Sequence, residues 1–265
     1  MFQKLFHLKE NGTDVKTEVI GGITTFMAMA YILAVNPSIL SQSGMDSQAV
    51  LIATALAAFV GTLCMAFMAN YPFALAPGLG LNAYFAYTVC GTMGYSWELA
   101  LLAVFAEGLV FLALSLTNVR EAIFNAIPMQ LKKGVSVGIG LFIAFLGLQN
   151  AHIVVNSDST LVTMVKFTKD FHTTGISALL ALIGLVIISV LYIKNVKGSI
   201  LLGILITWAL GILAQFTGLY AGDSVLPVWS DFNLGAISKT FGQCFSSAAF
   251  ANFRILDFIV IMFSF

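Results

Sequence analysis

The sequence predicts an all-α polytopic membrane protein. Two observations carry that expectation. Of 265 residues, 59% are hydrophobic and 9% are charged, where an ordinary soluble domain carries roughly 25% charged residues. Apolar runs of about 20 residues, the length that crosses a bilayer as a helix, recur along the chain. So few charges cannot coat a water-facing globule of this size. That excludes a soluble enzyme, a disordered chain and a nucleic-acid binder. Twelve Lys and Arg balance twelve Asp and Glu, so net charge selects no acidic or basic partner. Cys64, Cys90 and Cys244 are scattered in or near apolar segments. They form no disulfide framework and no metal-ligand spacing, and read as small apolar filler.

Residues 1–18 form a polar tail. Val19–Leu40 is the first apolar run. It is too long for a signal-peptide core and reads as a retained helix. Ala49–Met68, Trp97–Leu116, Ile176–Ile193 and Ser199–Tyr220 are further spans. Gly134–Leu148 is short, and Ile127 to Leu131 extends it at a tilt. The apolar segment Tyr71–Thr92 brings the crossings to seven. Ile255 to Phe265 starts an eighth, but eleven residues are too few to span.

Lysine and arginine placement sets orientation. With the N-terminus in the cytoplasm, the inner side receives Lys4, Lys9, Lys16, Arg120, Lys132, Lys133, Lys194 and Lys197. The outer side receives Lys166, Lys169, Lys239 and Arg254. The balance favours that orientation and requires Tyr71–Thr92 to cross. Arg120–Lys133 and Gly235–Arg254 mix charged or polar residues with apolar anchors. Each reads equally as a surface-lying helix or as an anchored loop. Asn150–Thr174 is an outer loop.

Tyr71–Asn82 reads Tyr-Pro-Phe-Ala-Leu-Ala-Pro-Gly-Leu-Gly-Leu-Asn. Pro72 and Pro77 remove helix donors and clash with the preceding turn. Gly78 and Gly80 admit conformations that other residues avoid. Phe73–Ala76 is therefore expected to be extended. Asn82 suits the N-cap of a helix running on through Ala83 to Tyr87. Irregular backbone at membrane depth survives only inside protein or beside a watery cavity. A half-helix beginning there aims free N–H groups and a partial positive charge at the cavity. That is the layout of a secondary-transporter substrate site. A proline-kinked helix with packing glycines is the other reading.

Other candidates are weaker. Glu107 lies in the middle of the apolar run Trp97–Leu116, as a proton carrier or a protonated structural carboxyl. Thr24 and Thr25 can hydrogen-bond a solute, although bonding back to their own helix is commoner. Gly134, Gly138 and Gly140 form a small-residue face suited to close helix packing. His7, His152 and His172 share no metal spacing. No nucleophile elbow, phosphate-binding glycine loop or zinc-protease signature occurs. The expectation is therefore no enzyme, no catalytic residue, no metal and no cofactor.

Three stretches carry a family resemblance. The first runs from Glu18-Val-Ile-Gly-Gly-Ile-Thr-Thr-Phe to Val35-Asn36-Pro37. The second is Ala69–Tyr87, spanning the proline-broken segment. The third is Arg120-Glu-Ala-Ile-Phe-Asn-Ala-Ile-Pro128 with Leu131-Lys132 and Gly138–Leu148. Together they resemble the AzgA-like hypoxanthine/adenine/guanine permeases of the nucleobase–cation symporter superfamily. The likeness covers most of residues 18–150 and thins to spacing beyond.

The resemblance implies a UraA-like 7+7 inverted-repeat transporter, with a core domain and a gate domain in each repeat. This chain would supply the first seven-segment repeat, with a short strand plus half-helix in segment 3. Residues 1–18 would be the cytoplasmic tail, 19–116 core segments 1–4 and 117–133 an interfacial linker. Residues 134–220 would be gate segments 5–7, 221–254 a loop with an interfacial helix, and 255–265 the start of segment 8. The strand would be Phe73–Ala76. The substrate-binding set would be Phe73, Ala76, Gly80, Leu81, Asn82 and Thr25, with Glu107 as proton or structural carboxyl. The partners would be a purine nucleobase, a proton and the lipid bilayer, with a second copy of the chain as a candidate.

Location in the plasma membrane follows, as does proton-coupled purine import. The chain is expected to be truncated to the N-terminal half of such a permease, and inactive alone. Uracil, xanthine or a small anion on the same fold stays open, as does a non-transporting fragment docked on a full-length homologue.

Overall fold

The computed structural model describes residues 6–117, 119–168, 170–226, 233–250 and 254–265. Among the described residues six helical stretches are long and apolar enough to cross a membrane: Val15–Ser43, Ser47–Ala69, Trp97–Leu116, Met129–Asn150, Phe171–Ile193 and Ser199–Phe216. They match the six regular spans expected from the sequence and make this a multi-pass membrane protein. The described residues fall into two compact units, one within Met1–Tyr31 and Leu141–Asp231, the other within Ile32–Gly140 and Phe232–Phe265.

The first unit holds helix α1 (Val15–Met29), opened by the Asp14 side chain, which accepts from the Thr17 amide. The first apolar run turns at Ala30 and Tyr31, after which helix α2 (Ile32–Leu40) opens the second unit. In the second unit helix α3 (Ser47–Cys64) continues into a π-turn, Met65–Ala69. After irregular chain, helix α4 (Leu79–Ala83) passes into a π-helix, Tyr84–Thr92. Helices α5 (Trp97–Leu116), α6 (Val119–Ala126) and α7 (Met129–Asn150) follow, α7 passing from the second unit to the first after Gly140.

In the first unit, strands β1 (Val154–Ser157) and β2 (Leu161–Met164) pair antiparallel, Val154 opposite Met164. Asn150–Thr174, expected as plain loop, thus contains a hairpin. Its arms are rich in Val and Thr, which suit a pleated ribbon. Helices α8 (Ile176–Ile193) and α9 (Ser199–Phe216) then pack together through glycines. A Cβ at Gly184 would overlap Thr207, and one at Gly203 would overlap Ile188.

The second unit closes with short pieces: 3-10 turns Leu234–Lys239 and Gln243–Phe245, helix α10 (Ser247–Phe250) and helix α11 (Ile255–Ser264). Its core joins Val50 of α3, Phe85 and Val89 of the π-helix, Leu99, Ala100 and Ala103 of α5, and Ile261 of α11. Phe265 packs edge-on against Tyr84 at 5.4 Å between ring centres. The 3-10 turn Leu234–Lys239 docks on the start of α3: Ala236 joins Ala49 and Ile52, and Lys239 pairs with Asp46 at 2.7 Å.

Two readings left open between helix and loop are narrowed, and one expectation is corrected. Arg120–Lys133 is not one interfacial helix: α6 stops at Ala126, because Pro128 disfavours helical backbone at Ile127. Lys132 and Lys133 belong to the first turns of α7. Gly235–Arg254 is not one helix either, since Gly242 stands at φ +74 and turns the chain between short pieces. Asn252 of that stretch lies outside the described residues. The small-residue face of α7 packs against nothing described: a Cβ at Gly134, Gly138 or Gly140 would meet no atom within 4 Å.

Two outcomes follow. Gly203→Leu overpacks the α8–α9 contact and should cost about 1–3 kcal/mol. Gly138→Ala should be neutral or stabilising by up to about 1 kcal/mol, because alanine favours helix. Thermal unfolding in detergent separates them, and equal effects would contradict the glycine contact. The Lys239 ammonium, hydrogen-bonded to Asp46, and the Ala49 amide hold that carboxyl below its ordinary range. A depressed carboxylate pKa stabilises the fold above the unfolded value and loses that contribution as pH falls through the folded value. In Lys239→Ala, an NMR titration of Asp46 should move up toward an ordinary carboxylate. No movement would contradict the pairing.

Candidate functional site

The site is built where the backbone stops being helical. Asn70 sits in the left-handed region at φ 53 and closes the π-turn that ends α3. From Tyr71 to Gly78 the chain is neither helix nor paired strand. Pro72 and Pro77 explain the missing helix. Phe73–Ala76 is thus irregular rather than a ladder strand among the described residues. A strand needs a partner to take its N–H and C=O groups.

One of these groups is satisfied by a side chain instead. The Leu75 amide donates to Thr62 Oγ1 at 3.0 Å. Leu75 lies against Gly61, whose missing Cβ would touch the Leu75 side chain at 3.5 Å. The broken segment therefore runs along α3, held by one hydrogen bond and one small residue. Tyr71 and Phe73 stack at 5.7 Å between ring centres.

Helix resumes at Leu79 with Gly78 as the N-cap, and no side chain caps it. Asn82 is therefore not the N-cap that the sequence suggests. Gly78 takes extended backbone one residue after Pro77, so helical geometry starts four positions earlier than an Asn82 cap would give. The Asn82 amide closes the first turn on the Gly78 carbonyl at 3.2 Å. The amides of Leu79, Gly80 and Leu81 have no acceptor among the described residues, as expected for an uncapped first turn.

The Asn82 side chain turns to protein. Its Nδ2 donates to Asn36 Oδ1 on α2. Asn36 Nδ2 in turn donates to Thr54 Oγ1 on α3 at 2.8 Å. Asn36 and Thr54 are buried, 2% and 3% exposed, whereas Asn82 is half-buried. Three elements thus meet through one chain of polar side chains.

The other expected site residues are distributed as follows. Gly80 is half-buried, and Phe73, Ala76 and Leu81 are exposed. Phe73, Ala76, Gly80, Leu81 and Asn82 all belong to the second unit. Thr25 belongs to the first, where its hydroxyl donates to the Gly21 carbonyl at 2.9 Å; Thr24 does the same to Ile20 at 2.8 Å. Glu107 sits on the face of α5 that continues Ala100 and Ala103, half-buried, with no hydrogen bond or ion pair among the described residues. No group of three or more metal-ligating side chains occurs among the described residues.

The xanthine/uracil permease profile, described as "Permease family", matches residues 16–262. The chain belongs to this family. It is 46% identical to a guanine/hypoxanthine permease of Bacillus subtilis, PbuO, over 81% of this chain and 48% of that protein. It is 41% identical to the adenine permease AdeP of Escherichia coli, over 91% of this chain and 55% of the relative. A second guanine/hypoxanthine permease of Bacillus subtilis, PbuG, is also 41% identical, over 90% of this chain and 53% of the relative. The chain spans about half the length of the curated relatives it matches.

Sequence reasoning singled out Asn82 and missed its partner Asn36, and Thr54 behind it, in this permease chain. Asn36 had a legible signal: a carboxamide followed by Pro37 inside an apolar run is a costly residue to bury. Thr54 had none, because threonine in a helix commonly serves its own backbone.

The hold on the broken segment is testable. Thr62→Val leaves the Leu75 amide without its acceptor. It should cost about 1 kcal/mol and speed hydrogen exchange at Leu75 relative to α3. Unchanged exchange at Leu75 would contradict the contact.

Proposed function

We propose that the permease carrying these residues is a secondary active transporter that imports the purine nucleobases hypoxanthine, adenine and guanine by proton symport. It works in the plasma membrane with its N-terminus in the cytoplasm, and moves solutes rather than transforming them. The supporting observation is the carboxamide of Asn82, carried on the helix that restarts after the proline-broken, irregular segment Tyr71–Gly78 and bonded to Asn36. A carboxamide offers one acceptor and N–H donors in a plane, which complements the edge of a flat nitrogen heterocycle.

On this reading Phe73, Ala76, Gly80, Leu81 and Asn82 line the base. Glu107 is the proton-carrying or structural carboxyl. Residues 19–116 act as core and 134–220 as gate, joined by the interfacial linker 117–133. Alternating access moves one against the other. The names of the relatives, guanine/hypoxanthine and adenine permeases, support purines over other solutes.

The test is uptake and binding of radiolabelled hypoxanthine, adenine and guanine. Uptake should rise in acidic medium and vanish with a protonophore. Asn82→Ala should weaken purine binding by at least about tenfold, or roughly 1.4 kcal/mol. Purine binding that survives Asn82→Ala unchanged, or competition by uracil or xanthine but not by hypoxanthine, would contradict the reading.

A further inference from the structure

Asn36 is the polar residue of the second unit with the least contact with solvent, 2% exposed. Neither water nor lipid can satisfy its amide, so protein must. It has two partners, and they differ in kind. Thr54 Oγ1, buried on α3, accepts from Nδ2 at 2.8 Å. Asn82 Nδ2, half-buried on α4, donates to Oδ1. The next residue, Pro37, has no N–H for the Leu33 carbonyl, so α2 is locally loosened where Asn36 turns inward.

We propose that Asn36 is a positioning residue that sets the orientation of the Asn82 carboxamide for its solute. The oxygen and nitrogen ends of an amide are nearly the same size, and an unpartnered asparagine presents either end. Here Asn36 Oδ1 can only accept, so it selects the nitrogen end of Asn82. Thr54 Oγ1 takes the Asn36 Nδ2 donor, so Asn36 is held from the far side with its oxygen on Asn82. Asn82 is left with its own Oδ1 and one N–H free of protein partners among the described residues. Those two groups recognise a ring edge that carries an N–H beside a carbonyl or an unprotonated nitrogen. Solute recognition therefore depends on a residue that does not touch the solute. This consequence rests on the proposed solute role of Asn82; the positioning itself does not.

The test separates the two. The full chain, uniformly ¹⁵N-labelled, is placed in lipid nanodiscs. Hydrogen exchange is followed without ligand at the Asn82 side-chain amide and at the two α4 backbone amides beyond its open first turn, Asn82 and Ala83. Asn36→Leu should raise Asn82 side-chain exchange by about tenfold, equivalent to roughly 1.4 kcal/mol, while α4 backbone protection stays. Asn36→Asp, protonated in this apolar site, keeps a carbonyl acceptor for Asn82 and a donor for Thr54. It should stay near wild type. Thr54→Val should fall between.

Hypoxanthine binding by the same proteins is then measured, and should follow the same order. Unchanged Asn82 exchange in Asn36→Leu would overturn the proposal. So would loss of α4 backbone protection in Asn36→Leu and Asn36→Asp alike, which would make Asn36 a scaffold residue only. Wild-type protein that binds no purine, with the exchange order intact, would reject the purine reading and leave the positioning standing.

Discussion

A backbone that leaves its helix in the middle of an apolar segment must find hydrogen-bond partners without water. That constraint governs the second unit. Pro72 and Pro77 force the departure between Tyr71 and Gly78, and α3 meets it with Thr62 under the Leu75 amide and Gly61 against the Leu75 side chain. Where helix resumes at Leu79, Asn82 of that helix bonds to buried Asn36 of α2, which bonds to buried Thr54 of α3. The interruption is thus joined to the polar cluster by the same few residues.

Packing around this point is arranged to keep it in place. The π-helix that follows α4 buries Phe85 and Val89 against Leu99, Ala100 and Ala103 of α5 and Ile261 of α11. A π-helix widens the turn and is found mostly at functional sites. The 3-10 turn Leu234–Lys239 clips the opposite end of α3 through Ala236 and the Asp46–Lys239 pair. The ion pair is exposed and contributes little energy. The apolar contact carries more of that docking.

Some of this was legible in the sequence and some was not. The six regular spans were, because a run of about 20 apolar residues has few alternatives in a chain so poor in charge. The break at Tyr71–Gly78 was also legible, since proline acts on its own backbone whatever surrounds it. The N-cap was misplaced by residue preference: asparagine is a good cap, but Gly78 is already extended beside Pro77, so the helix starts at Leu79. The Asn36–Asn82 contact joins residues 46 apart, and no local period encodes it. The glycines illustrate the same limit. Gly134, Gly138 and Gly140 make the more regular stripe, yet Gly184 and Gly203 are the ones with neighbours where a side chain would stand.

The account stands on the interruption between Asn70 and Leu79, and backbone hydrogen exchange across residues 65–92 in lipid nanodiscs measures it directly. The result it predicts is a protected α3, open exchange at Leu79, Gly80 and Leu81, and protection returning from Asn82 onward. Unbroken protection from Tyr71 to Thr92, as in one continuous lipid-facing helix, would contradict it.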